Sequence, residues 1–192
     1  MKKYIFIIIL SFLITTSVSA RKTGCEGNCE NGFGKWTYTD KTTYEGNWVG
    51  TQKHGQGTEI WPNGYIYKGE FKNSEWSGQG ILTFPNGATY EGEWANGFMN
   101  GKGTFTWSDG TKYEGGWRDG MMNGQGTYTH PNGSKYIGEH KNDQPNGRGT
   151  MTYPDGEKCL GEWENVAFRN GECYDKNGNI QYRYENGKRI RQ

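Results

Sequence analysis

Apolar and polar residues alternate along most of this chain, and the alternation restarts every 23 residues. Tyr44-Glu45-Gly46-Asn47-Trp48 recurs as Tyr67-Lys68-Gly69-Glu70-Phe71, Tyr90-Glu91-Gly92-Glu93-Trp94, Tyr113-Glu114-Gly115-Gly116-Trp117 and Tyr136-Ile137-Gly138-Glu139-His140. A sixth copy, Cys159-Leu160-Gly161-Glu162-Trp163, keeps the step and the second half of the motif. Within each copy the Tyr, the Gly and the large ring occupy alternate positions. A strand therefore puts them on one face and sends Glu, Lys or Asn to the other. A fixed step of this length denotes repeat units that stack on one another and share a continuous core.

The rest of each unit reads as a loop, a second strand and a turn. The loop is rich in Gly and Asn and ends in a G-x-G pair: Gly55/Gly57, Gly78/Gly80, Gly101/Gly103, Gly124/Gly126, Gly147/Gly149. The second strand runs through Thr104-Phe105-Thr106-Trp107 and its equivalents, with Thr on one face and glycine and rings (Trp61, Phe84, Trp107, His130, Tyr153) on the other. The unit closes at Pro62-Asn63-Gly64, Pro85-Asn86-Gly87, Ser108-Asp109-Gly110, Pro131-Asn132-Gly133 and Pro154-Asp155-Gly156. Asn-Gly and Asp-Gly accept the left-handed angles of a type I′ turn, so these sites predict tight hairpin turns. The predicted fold is all-β: an elongated, twisted, single-layer antiparallel meander of tandem 23-residue hairpins. The G-x-G pairs are not nucleotide loops, because that fingerprint needs a third glycine and a helix whose N-terminus holds the phosphate.

Y-x-G-x-W, a segment ending H/N-G-x-G and a D/N-G turn at this spacing resemble MORN repeats (membrane occupation and recognition nexus). The resemblance is close over residues 44–158, which divide into five repeats. Residues 159–181 form a degenerate sixth repeat and 182–192 a terminal fragment. Residues 21–43 form a partial repeat, in which Asn31-Gly32-Phe33-Gly34, Trp36 and Tyr38 match a second half. The resemblance implies a non-enzymatic scaffold that binds proteins or membrane phospholipid and often self-associates. The departures are His140 in place of Trp, Cys159 in place of Tyr, and Asn170-Gly171-Glu172 one residue out of phase.

Residues 1–20 read as a secretory signal peptide: Lys2 and Lys3, an apolar run from Tyr4 to Leu13, and Val18-Ser19-Ala20 at the cleavage site. The expected location is the periplasm, the cell envelope or the exterior. Lipidation at Cys25 is disfavoured, because Lys22 stands where such a signal wants an aliphatic residue. Without Lys2 and Lys3 the 22 basic residues become 20, against 21 acidic ones. That balance gives no electrostatic case for nucleic acid or for strong recruitment to anionic lipid. The chain carries 8 Trp, 13 Tyr and 8 Phe with 32 Gly, which argues against disorder. Four cysteines in an exported chain are consistent with two disulfides, whose pairing the sequence leaves open. The local pairing Cys25–Cys29 and Cys159–Cys173 is preferred, since it puts one bridge at each end of the array.

Two groups of side chains are candidates for function. Tyr44, Trp48, Tyr67, Phe71, Tyr90, Trp94, Tyr113, Trp117 and Tyr136 are expected to form the structural aromatic face, the only core a one-layer sheet can have. Trp76, Phe98, Met99, Met121 and Met122 fall at adjacent loop positions and could line one edge as an interaction stripe, or fold back over their own hairpins. His54, His130 and His140 lie in separate repeats without metal-ligand spacing. Asp175-Lys176-Asn177-Gly178-Asn179 departs from a calcium loop at Ile180 and Asn186. No catalytic constellation and no cofactor motif stands outside the repeat pattern. The alternative to protein or membrane binding is a glycan-binding module for cell-wall polymer. The expected partners are thus proteins, with phospholipid and a second copy of the chain as further possibilities.

Overall fold

A computed structural model describes residues 24–190; residues 1–23, which include the expected signal peptide at 1–20, and residues 191–192 lie outside the described range. Sixteen strands follow one another: β1 (Gly24–Gly27), β2 (Asn31–Thr37), β3 (Thr43–Val49), β4 (Gln52–Ile60), β5 (Ile66–Lys72), β6 (Glu75–Thr83), β7 (Thr89–Ala95) and β8 (Phe98–Thr106). They continue as β9 (Lys112–Arg118), β10 (Met121–Thr129), β11 (Lys135–Lys141), β12 (Gln144–Thr152), β13 (Lys158–Glu164), β14 (Ala167–Tyr174), β15 (Ile180–Glu185) and β16 (Lys188–Ile190). Each pairs antiparallel with its sequence neighbours in one open sheet, so the meander predicted from the 23-residue step is the observed fold.

The turns differ from expectation. The tight two-residue turns are not at the Pro-Asn-Gly sites but at Gly50-Thr51, Asn73-Ser74, Asn96-Gly97, Asp119-Gly120, Asn142-Asp143 and Asn165-Val166, where both residues have positive φ. That is the type I′ signature. At Trp61-Pro62-Asn63-Gly64-Tyr65 only Gly64 has positive φ. There Gly64 N donates to Trp61 O and Trp61 N donates to Tyr65 O, which makes a type I turn closed by a glycine bulge. Asn63 Oδ1 accepts from Tyr65 N and caps the turn.

The predicted loop is also strand. β4 begins directly after the turn, and its pairing with β3 jumps from Asn47↔His54 to Gly46↔Gly57. The G-x-G pair therefore marks a bulge inside a strand, with Gly55 at φ +60°. In repeats two, three and five a glutamate pins this bulge. Glu70, Glu93 and Glu139 carboxylates accept from the backbone N–H of Gln79, Lys102 and Arg148 at 3.0, 2.9 and 2.9 Å.

Candidate interaction surfaces

One face of the sheet carries a ladder of rings. Tyr44 packs edge-to-face on Trp48 and on Phe71 of the next repeat, both at 4.9 Å between ring centres. The same pair of contacts recurs from Tyr67 to Phe71 and Trp94, from Tyr90 to Trp94 and Trp117, from Tyr113 to Trp117 and His140, and from Tyr136 to His140 and Trp163. Each tyrosine thus joins two repeats. Such contacts add about 0.5–1.5 kcal/mol per pair beyond area burial. All nine residues expected on the aromatic face are buried there.

The glycines explain how the rings fit. A Cβ on Gly92 would meet Gly103 Cα at 2.5 Å, and one on Gly103 would meet the Tyr90 hydroxyl at 2.3 Å. Each Tyr ring lies on a pair of glycines in facing strands, where any side chain would lift it off. Its hydroxyl donates back to the carbonyl three residues on, as from Tyr90 to Glu93 at 3.0 Å. Burial raises the hydroxyl pKa, to about 12 for Tyr44, Tyr113 and Tyr136, so the donor stays protonated. Four indoles complete the frame, because Trp48, Trp94, Trp117 and Trp163 Nε1 donate to glycine carbonyls 14 residues upstream.

Repeat one carries a feature the sequence reading missed. Lys53 and Glu59 form a buried ion pair on the ring face, with the Lys53 ammonium 5.3 Å from the centre of the Tyr44 ring and 5.4 Å from that of Tyr38. Strand parity is the signal that finds them. Lys53 pairs with Trp48 and Glu59 with Tyr44, so both must face the rings. His140 is buried, and its Nδ1 lies 3.2 Å from Gly138 O while Nε2 has no partner. Burial lowers its pKa, opposed by that backbone contact.

The expected interaction stripe divides between the two faces. Trp76 pairs with Phe71, Met99 with Trp94 and Met122 with Trp117, which turns all three toward the rings. Trp76 stacks on Tyr67 at 4.5 Å and 6°, and Met122 is 2 % exposed. Phe98 and Met121 point to the opposite face, where Phe98 is 47 % exposed and Met121 half-buried. The five residues do not form one exposed row, because a two-residue turn places the second residue after it directly across from the large ring.

The opposite face holds a shallow trough over the glycine column. One stretch of about 590 Å³ is lined by residues including Glu91, Thr104, Glu114 and Lys102, and the next, of about 630 Å³, by Ile137, Thr150, Leu160, Arg148 and Glu162. Among the described residues, the one cluster of metal-ligand types is Glu157, Cys159 and Cys173. Its sulfurs are joined in a disulfide, and Cys25 is bonded to Cys29. Asp175 is a turn residue, as the departures at Ile180 and Asn186 imply. It accepts from Asn177 N and Asn179 N and closes its own turn.

A sheet of repeated hairpins with one ring face and one grooved face defines a repeat protein that offers extended surface. The MORN repeat model matches residues 44–64, 67–89, 90–112, 113–135 and 136–158, and the chain belongs to the MORN-repeat family. No curated protein matches the chain. Among solved structures it is similar to the SAS-4 (dCPAP) TCP domain of Drosophila melanogaster, in complex with a proline-rich motif of Ana2 (dSTIL). The TM-score is 0.53 at 12 % identity, over 86 % of this chain and 91 % of that one. The wild-type TCP10 domain of Danio rerio CPAP aligns at TM-score 0.40 and 15 % identity, over 80 % and 84 %.

Proposed function

We propose that the mature chain is an exported, non-catalytic scaffold that binds protein partners along its sheet. The observation that carries this reading is the recurrence of equivalent side chains in successive repeats of a one-layer sheet. Such an array offers long surfaces in place of a single enclosed pocket. Family membership supports it, and so does a similar fold solved with a peptide motif bound. Export rests on the n-region, the apolar run and the cleavage site, and two disulfides suit an oxidising compartment. Affinity capture of the mature protein from its own envelope fraction tests the reading, with specific protein partners expected. Strong, salt-sensitive flotation with anionic vesicles and no captured protein would instead make membrane lipid the ligand.

A further inference from the structure

Six of the eight indoles of this chain form two contrasting sets. Those of Trp48, Trp94, Trp117 and Trp163 spend their N–H on glycine carbonyls. Trp61 and Trp107 are half-buried and stand at the Pro-Asn-Gly edge, and their N–H groups make no hydrogen bond among the described residues. Both pack on neighbours that fix their rings: Trp61 lies 5.7 Å from Trp76, and Trp107 lies 4.5 Å from Phe105 and 5.5 Å from Tyr128. Phe84 occupies the same position in the repeat between them, 5.6 Å from Tyr65. The result is a column of three held, half-exposed rings, two of which offer a free donor.

The spacing of that column selects a ligand. Strands lie about 4.8 Å apart, so two strands per repeat set successive rings roughly 9.6 Å apart along the array. A polyproline II helix rises about 3.1 Å per residue with three residues per turn, so it advances about 9.3 Å per turn. Such a segment, laid across the strands, brings one residue in three to each ring. Its carbonyls have no internal partner, which suits the indole donors. Sheet twist turns the column away from a straight rod, so the match holds only over a few successive rings. The turn residues of this edge are acidic: Asp40, Asp109, Asp155, Glu157 and Asp175 outnumber Lys41 and Lys176. Lys112, Lys135 and Lys158 follow the turns but alternate with buried residues and project from the other face. The neighbouring turn amides cap their own backbones, as Asn63, Asn86 and Asn132 do, which leaves few polar groups aimed at sugar hydroxyls.

We infer that Trp61, Phe84 and Trp107 form a binding column for a proline-rich segment with a proline at every third residue and basic flanks. This rests on the protein-binding reading and names the partner's chemistry and its site. The test uses the mature chain and three synthetic probes: a peptide of four Pro-x-x units flanked by arginines, one of three Pro-x-x-x units with the same flanks, and a β-1,4-linked N-acetylglucosamine hexamer. Titration followed by tryptophan fluorescence should show saturable binding of the first probe only. Trp61→Phe and Trp107→Phe keep a ring that repeat two already tolerates at this position. Each should weaken binding about fivefold by removing one hydrogen bond, with the thermal midpoint unchanged. Equal binding of both peptides, or binding unaffected by both variants, overturns the column. Binding of the sugar alone makes the site a glycan platform. Capture of the same envelope partners by the Trp61→Phe/Trp107→Phe double variant would preserve the scaffold reading while overturning this site.

Discussion

In the third repeat a tyrosine closes the space over the paired glycines, and in the sixth a disulfide does. Tyr90 lies on Gly92 and Gly103 and is gripped by Trp94 on one side and by Trp117 of the next repeat on the other. In repeat six Cys159 and Cys173 face each other across β13 and β14, at the positions Tyr90 and Phe105 hold in repeat three. The residue that would supply the following ring is Asn186. Phe168 leans over Gly171 in place of the missing tyrosine ring. At the other end Cys29 sits over Gly34, the counterpart of Gly57. A ring is useful where repeats flank it on both sides. At an end, where one flank is missing, a covalent bond holds the strands without needing a neighbour.

The widest separation between the two regions comes from removing the ring. Tyr90→Ala should cost about 3–5 kcal/mol, as expected for a fully buried aromatic, and lower the thermal midpoint more than any other single change in the array. Tyr90→Phe should cost only about 1 kcal/mol, the value of its hydroxyl bond to Glu93 O. Equal losses from the two would show that the hydroxyl, and not ring packing, joins the repeats.

The disulfide comes next. Cys159→Ser with Cys173→Ser opens a loop of about 15 residues and should cost about 3 kcal/mol in the chain-entropy model. Repeats couple only to their neighbours, so the loss should be local. Hydrogen exchange should quicken across β13 to β16 while the amides around Tyr90 keep their protection. An unchanged melt, or uniform loss of protection, would remove the distinction between end and middle.

His140 is the weak rung within the middle. Its pKa is lowered by burial, so the unfolded chain takes up the proton first as pH falls. Its neutral form's contribution is intact above the unfolded pKa of about 6.5 and is lost as pH drops below it, at no more than about 1.4 kcal/mol per pH unit. Asp143, whose pKa burial raises, acts in the opposite sense at lower pH. His140→Phe, which copies Phe71, should therefore flatten the stability profile between about pH 6.5 and 5. A variant profile parallel to that of the parent chain would clear His140 of any part in acid sensitivity.

Much of this is legible in the sequence. Period two placed the Tyr, Gly and Trp positions on one face, and the 23-residue step implied the meander. What misled was turn chemistry. Asn-Gly and Asp-Gly occur at both edges of the sheet, and the Pro-Asn-Gly set is the more regular. The true I′ turns include Asn73-Ser74, Asn142-Asp143 and Asn165-Val166, which lack the glycine that announces them. With the Pro-Asn-Gly edge read as the tight one, the first residues of β6, β8 and β10 read as loop. That reading groups Trp76, Met99 and Met122 with Phe98 and Met121, although strand parity separates them. The bridges Cys25–Cys29 and Cys159–Cys173 follow from their place at the ends of the array and, for the second, from the pairing of the two strands of repeat six.

The smallest effect concerns the glutamates, which read as no more than a solvated face. Glu93 Oε1 accepts from Lys102 N at 2.9 Å, and a Cβ on Gly101 would lie 2.5 Å from that carboxylate. The bulge glycine thus makes room for the side chain that holds the bulge. Repeat four has Gly116 at this position, where a Cβ would come within 2.2 Å of Asn123 O. Its bulge takes a form that admits no glutamate. Glu93→Ala should therefore cost about 1 kcal/mol, as for one exposed charge-assisted hydrogen bond. The Lys102 amide should exchange faster, while the Gln125 amide, its counterpart beside Gly116, should not change. If Lys102 kept its protection, the bulge would be held by backbone geometry alone, and repeats three and four would differ only in the glycine.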